Sequence, residues 1–338
     1  MSAARQFAFG NARVRAMKAR LLGPEDAAAI RGCGTSAARA RVFQELVGID
    51  SDDPPEVFGA LFSRLIADYG KVLRSYPSGS GLFLALLRLH EIENLKLAWR
   101  AVARGYPADR WLAYWRALGP LESLKRDQWR DLASLRQIVG LVRGTPYAAI
   151  VSTTFRSHEA DPAAAELAFD HWASRELLSA AQALPATERR ARELAVALLR
   201  ERDLDALHRG ITTYGLAPDL AVGCTVLLSN ELRAEALAKL VEATVESEPL
   251  GPHLLHRLVR DPHGITNWRA LRHTLRCQRR ETCRRAFLEH PFQLGPAVAF
   301  LLLREEEVRG LIALTEAQGQ TAVDEVLDHV LAASLMGT

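Results

Sequence analysis

Val298–Leu314 reads VAFLLLREEEVRGLIAL. An apolar run reaches Leu303, then come Arg304, the acid Glu307, the aliphatic Val308, the small Gly310 and Leu311. The same order of chemistry occurs twice earlier. Phe83–Ala98, FLALLRLHEIENLKLA, carries Arg88, Glu91, Ile92, Asn94 and Leu95 in register. Leu194–Gly210, LAVALLRERDLDALHRG, carries Arg200, Asp203, Leu204, Ala206 and Leu207. All three copies fit Leu-Leu-Arg-x-x-acid-aliphatic-x-x-Leu, with their arginines 112 and 104 residues apart.

On a helix, residues three apart share a face, so each Arg is expected to meet its acid one turn later. The Leu, aliphatic and final Leu positions fall on a neighbouring apolar stripe. A chain rich in Leu and Arg produces one such match by chance; three at near-equal spacing read as a repeat. The period is far longer than that of a short solenoid unit and has the size of a small domain. The expectation is therefore an all-α chain of three similar helical domains in pseudo-threefold arrangement, 1–118, 119–217 and 218–338. Gly119-Pro120 and Ala217-Pro218 mark the boundaries.

Further helices are expected along the chain. Asn11–Leu22 has Val14, Met17, Leu21 and Leu22 at helical spacing and stops at Gly23-Pro24. Val57–Tyr76 is amphipathic, and a repeat helix follows over Leu82–Arg104. Asp109–Leu118 places Trp111, Tyr114 and Trp115 at helical spacing as core. Asp127–Arg143 reads as one helix. Ala163–Leu184 and Thr187–Tyr214 read as an antiparallel pair. The final third reads as helices near 219–228, 230–246, 252–259, 266–290, 296–317 and 321–335. Ala149–Phe155 is a weak strand candidate against an otherwise helical pattern.

Composition narrows the function. The 338 residues are 49% hydrophobic, with a mean hydropathy of −0.04 and a net charge of +3, as for ordinary globular proteins. Lys occurs at only five positions (18, 71, 96, 125 and 239), so Arg supplies most of the positive charge. Cys33, Cys224, Cys277 and Cys283 are too scattered for a disulfide framework and are expected as free thiols. No secretory signal is visible, and the longest apolar run, Leu294–Leu303, is half of the roughly 20 residues a membrane span needs. A membrane role is then peripheral.

No Walker sequence, dinucleotide fingerprint, nucleophile elbow or zincin motif occurs. His90-Glu91-Ile92-Glu93-Asn94 has Asn where a zincin has its second His, and Asp205-x-x-His208 has no paired counterpart. The repeat acids each sit one turn from an Arg, which is the pattern of a structural pair. No catalytic, cofactor-binding or metal-binding residue is assigned. One charged feature is sharper: Arg269, Arg272, Arg276, Arg279 and Arg280 form a stripe, opposite Trp268, Leu271 and Leu275. The stripe reads first as a solvated helix face; otherwise it suits acidic partner loops, lipid headgroups or phosphates.

Three stretches carry a family likeness. Phe7–Leu22, FAFGNARVRAMKARLL, His90–Arg100, HEIENLKLAWR, and Pro291–Leu314, PFQLGPAVAFLLLREEEVRGLIAL, occur in order, with weaker echoes at Arg143–Tyr147 and Leu167–Leu178. Together they resemble the C-type central-stalk component of bacterial and archaeal V/A-type rotary ATPases, a relative of the eukaryotic vacuolar ATPase d subunit. Gly310 and Ile312 depart from that pattern, as do Ala206 and His208 in the middle copy. The resemblance implies a non-catalytic, funnel-like rotor protein without cofactors. It would seat the central shaft on the membrane rotor ring, at the cytoplasmic face of the membrane, and pass torque for ion translocation. Two other readings compete: a free-standing helical adaptor, and an α-helical enzyme with a deep pocket of converging, perturbed acids or histidines.

Overall fold

The computed structural model describes residues 3–33, 35–49, 51, 53–159, 161–231 and 268–316, which are mainly helical with no strand among them. The helices are α1 (Ala3–Lys18), α2 (Pro24–Arg31), α3 (Ser36–Val47), α4 (Pro54–Ser75), α5 (Ser80–Ala103), α6 (Ala108–Leu112) and α7 (Leu135–Leu141). They continue as α8 (Ala148–His158), α9 (Pro162–Gln182), α10 (Arg189–His208), α11 (Pro218–Gly223), α12 (Leu228–Glu231), α13 (Trp268–Leu288) and α14 (Gly295–Glu316).

Local chemistry explains the long elements. Helix α4 starts on Pro54-Pro55, whose missing N–H groups cost nothing in a first turn. It then buries Val57, Phe58, Leu61, Phe62, Leu65, Ile66, Tyr69 and Val72 along one stripe. Pro77 prevents its continuation. Helix α9 starts at Asp161, whose side chain accepts from the N–H groups of Ala163 and Ala164, both at 3.0 Å. Helix α5 is buried almost all round, as expected of a central element.

Three helical hairpins organise the packing: α4–α5, α9–α10 and α13–α14. The first helix of each also lies on the second helix of another: α9 on α5, α13 on α10, and α4 on α14. The contacts thus close a cycle, and α1 lies across α4 and α14. The hairpin tips meet. Gly79 has no room for a Cβ, which would come within 2.7 Å of Phe83 and 2.9 Å of Leu294. The Leu294 N–H donates to Glu188 at 2.7 Å, and Arg190 pairs with Glu289. A contiguous apolar core runs from Val14 to Leu311, with Trp99, Trp129, Phe83, Phe169 and Phe300 fully enclosed.

The apolar stripe of the repeat is present in each copy: Ile92, Leu95, Leu204, Leu207, Val308 and Leu311 are all buried. Leu303 is half-buried, while Leu301 and Leu302 are enclosed. Several boundaries differ from the sequence reading. Residues 127–143 are not one helix: a tight turn covers Arg126–Trp129 and α7 begins after Ser134. The side chain of Gln137 accepts from the N–H groups of Ala133 (2.7 Å) and Ser134 (3.0 Å), which starts a new helix there. Helix α6 stops at Leu112; Trp111 and Trp115 are core as expected, whereas Tyr114 is exposed. Residues 149–155 lie within α8, not in a strand. The helix expected over 230–246 is described only to Glu231; those over 252–259 and 321–335 lie outside the described residues.

Candidate functional site

The repeat acids share one task that the sequence reading did not include, and the expected Arg–acid pair forms in the third copy. Glu91 accepts from the backbone N–H groups of Ser123 and Leu124 (the latter at 3.0 Å) and from the Tyr147 hydroxyl. Asp203 accepts from the N–H groups of Val226 (2.9 Å), Leu227 and Leu228 (3.0 Å). Glu307 accepts from the Leu22 N–H at 2.6 Å. Each acid thus latches a segment distant in sequence, through charge-assisted hydrogen bonds to backbone donors. Burial raises the pKa of Asp203 and Glu307 despite these donors. The arginines differ between copies. Arg304 does meet Glu307, and reaches Asp68 at 3.3 Å. Arg88 turns instead to Glu176 at 3.5 Å, because Glu91 is committed to backbone.

The opposite face of the same helices builds a polar cavity of about 350 Å³. The first and fifth residues after each repeat Arg, one turn apart, line it: Leu89 and Glu93, Glu201 and Asp205, Glu305 and Arg309. Equivalent positions of α5, α10 and α14 therefore converge on one space. His90, Lys96, Arg116, Asp170, Arg202, Asp203, Arg209 and Arg276 line it as well.

The wall is a web of buried ion pairs. Lys96 donates to Glu93 (2.9 Å) and Asp170 (3.0 and 3.1 Å). Asp170 also receives Arg202 (3.1 Å) and Arg209 (2.7 Å). Burial opposes the charge on both Lys96 and Asp170, but their mutual attraction and the neighbouring charges outweigh it; the pKa of Lys96 is raised and that of Asp170 lowered. Glu305 accepts from Tyr69, from His90 (3.2 Å) and from Arg309 (2.9 Å). Burial alone would raise Glu305, yet these partners bring its pKa down to about 2. Burial lowers the pKa of His90, against the pull of Glu305.

The arginine stripe of α13 requires a correction. At Arg279 and Arg280 it is not a solvated face. Arg279 is 2% exposed and Arg280 5%. Arg279 donates to Glu201 at 2.6 and 3.2 Å, and both arginines reach Glu306. Arg272 pairs with Asp205, and Arg276 lies 4.0 Å from Glu201. Leu271 and Leu275 on the other side are buried as well. The acids of α10 and α14 neutralise Arg272, Arg276, Arg279 and Arg280, so the partners, lipids or phosphates the stripe suggested have no open face to meet at Arg279 and Arg280.

The arrangement is suited to holding helices together. The enzyme reading calls for a pocket with perturbed acids, and such a pocket exists. Its carboxylates at Glu93, Asp170 and Glu305 are shifted downward, however, and stay ionised, while Asp203, shifted upward by burial, is occupied by three backbone N–H groups. A general acid or base would be poised near neutrality instead. Asp205 turns to Arg272, and His208 packs edge-on against Trp268, so these two form no ligand pair. No cluster able to hold a metal occurs among the described residues. All four cysteines are free thiols. None of the described helices is long and apolar enough to cross a membrane.

The stretch HEIENLKLAWR proves dense in cross-links. His90 reaches Glu305, Glu91 the 123–124 backbone, Asn94 the backbone of Arg116, Lys96 Asp170, and Arg100 Glu166 at 2.6 and 2.7 Å. Sequence reading did not find Arg116, Glu166 or Asp170, whose roles arise only from contacts between distant segments. A family model described as ATP synthase (C/AC39) subunit matches residues 10–328. No curated protein matches the chain.

Proposed function

We propose a mechanical role for this chain, which belongs to the ATP synthase (C/AC39) subunit family of V/A-type rotary ATPases. It is a non-catalytic coupler that receives the end of the central shaft in its polar cavity and rests on the membrane rotor ring. It works at the cytoplasmic face of the membrane and carries torque between ATP chemistry and ion translocation. Three helical units, 1–118, 119–217 and 218–338, would surround the cavity as a funnel.

The observation that carries this reading is the convergence of equivalent side chains, Glu93, Asp205 and Arg309, from three repeat helices on one cavity. A rod seated among three similar walls is loaded from each side in turn. The closed cycle of helix packing spreads that load, and close-packed interiors transmit strain with little compression. The ion pairs add directional cross-links within and between hairpins. Asp170 of α9 holds Lys96 of α5 and Arg202 of α10, and Glu201 of α10 holds Arg279 of α13.

The test is uncoupling. A complex reconstituted without this chain should still hydrolyse ATP in its catalytic head and should build no ion gradient. Adding the chain back should restore pumping. Gradient formation at an unchanged rate in its absence would refute the coupling role.

A further inference from the structure

Arg116 occupies an unusual place in the cavity wall. Its backbone is pinned from both sides: its N–H donates to Asn94 at 2.8 Å and its carbonyl accepts from Asn94 at 2.9 Å. Asn94 is itself buried on α5. The pinned loop holds the Arg116 side chain at the cavity, where it forms no ion pair among the described residues.

The nearby carboxylates are committed elsewhere. Glu93 holds Lys96, Asp170 holds Lys96, Arg202 and Arg209, and Glu305 holds His90, Tyr69 and Arg309. Burial lowers the pKa of Arg116, Glu93 and Glu305 counter this in part, and Arg309 and Arg202 lower it further. That is the signature of a guanidinium short of negative charge. Keeping a half-buried charge unpaired is costly, and such a cost is commonly tolerated where function needs it.

We infer that Arg116, flanked by Arg202 and Arg309, receives a carboxylate carried by the tip of the shaft. A planar guanidinium takes a carboxylate in paired hydrogen bonds, which fixes orientation as well as charge. The cavity of about 350 Å³ has room for entering side chains. Arg309, 59% exposed, stands where an approaching acid meets it early. This assignment rests on the coupling role proposed above.

The test measures calorimetric binding of the purified shaft proteins to the full chain, at low and high salt, beside thermal melts. Arg116→Met should weaken binding by at least about 30-fold and flatten its salt dependence. Its melting temperature should be unchanged or higher, because an uncompensated charge has gone. Arg116→Lys should restore part of the affinity. Arg136→Glu, at an exposed site on α7, should leave binding as in the wild type. An Arg116→Met chain that binds the shaft as tightly as the wild type overturns the inference. So does a loss of binding that tracks a lowered melting temperature. Inorganic phosphate that binds the wild type but not Arg116→Met, with equal shaft binding, would make the occupant a free oxyanion and overturn the carboxylate assignment. A wild-type chain that ignores the shaft altogether overturns this inference together with the coupling role, whereas the Arg116 outcomes alone leave that role standing.

Discussion

Helices α5 and α13 are both crowded with charge, and they teach opposite lessons. On α5 the polar residues are interspersed with leucines and reach out to several elements: His90 to α14, Lys96 and Arg100 to α9, Asn94 to the loop before Leu118. On α13 five arginines fall into a stripe that local reasoning assigns to water. Two of them, Arg279 and Arg280, are instead among the most enclosed charges described. The difference is where the counter-charges sit. Glu201 and Glu306 come from other helices, 78 and 27 residues from Arg279 in sequence. A window along α13 contains no sign of them.

The largest way to break this comparison is Arg279→Ala. It would strand Glu201 and Glu306 in the interior, and breaking a buried pair from one side costs about 3 to 5 kcal/mol. Urea unfolding should show that loss. A change within the scatter of the fit would return the stripe to solvent.

Acid should expose the α5 side of the comparison. Glu305 sits at about 2 in the folded chain against an ordinary 4.5. Its folded pKa is depressed, so its contribution, roughly 3 kcal/mol, is complete above about pH 5 and lost as pH falls toward 2. Asp170 moves in the same direction. His90 is lowered from 6.5, so an unfolded chain takes up that proton first, and stability begins to slip below about pH 6.5. Lys96 is raised, so its contribution holds at neutral pH and fades only above about pH 10. Denaturant melts from pH 8 to 3 should show this acid loss in the wild type and a flatter profile in Glu305→Gln. Parallel profiles would remove Glu305 from the web.

The smallest effect belongs to the part of α13 that does face water. Arg285 and Glu281 are 47% and 42% exposed, and Arg285→Ala should cost no more than about 0.5 kcal/mol. A larger loss would mean that exposure does not separate the two classes of arginine.

These contrasts also show what was legible in the sequence. The order Leu-Leu-Arg, acid, aliphatic, Leu was readable in all three copies, and its apolar positions are buried in all three. The acid was readable as structural, but not as a latch on backbone N–H groups, because Ser123, Val226 and Leu22 lie far from their acids in sequence. The break before α7 was legible in principle: Ser134 and Gln137 have the spacing of a capping box. The cavity was not. Its lining is assembled from α5, α9, α10, α13 and α14, and only the register shared by three helices hinted that they would face one another.

An electron cryomicroscopy map of the rotary complex assembled with this chain tests the central claim most directly. The coupling account predicts the end of the shaft inside the cavity, touching Glu93 of α5, Asp205 of α10 and Arg309 of α14, with the ring beneath. A shaft that ends outside the cavity, or a chain attached to the stationary part of the machine, would contradict it.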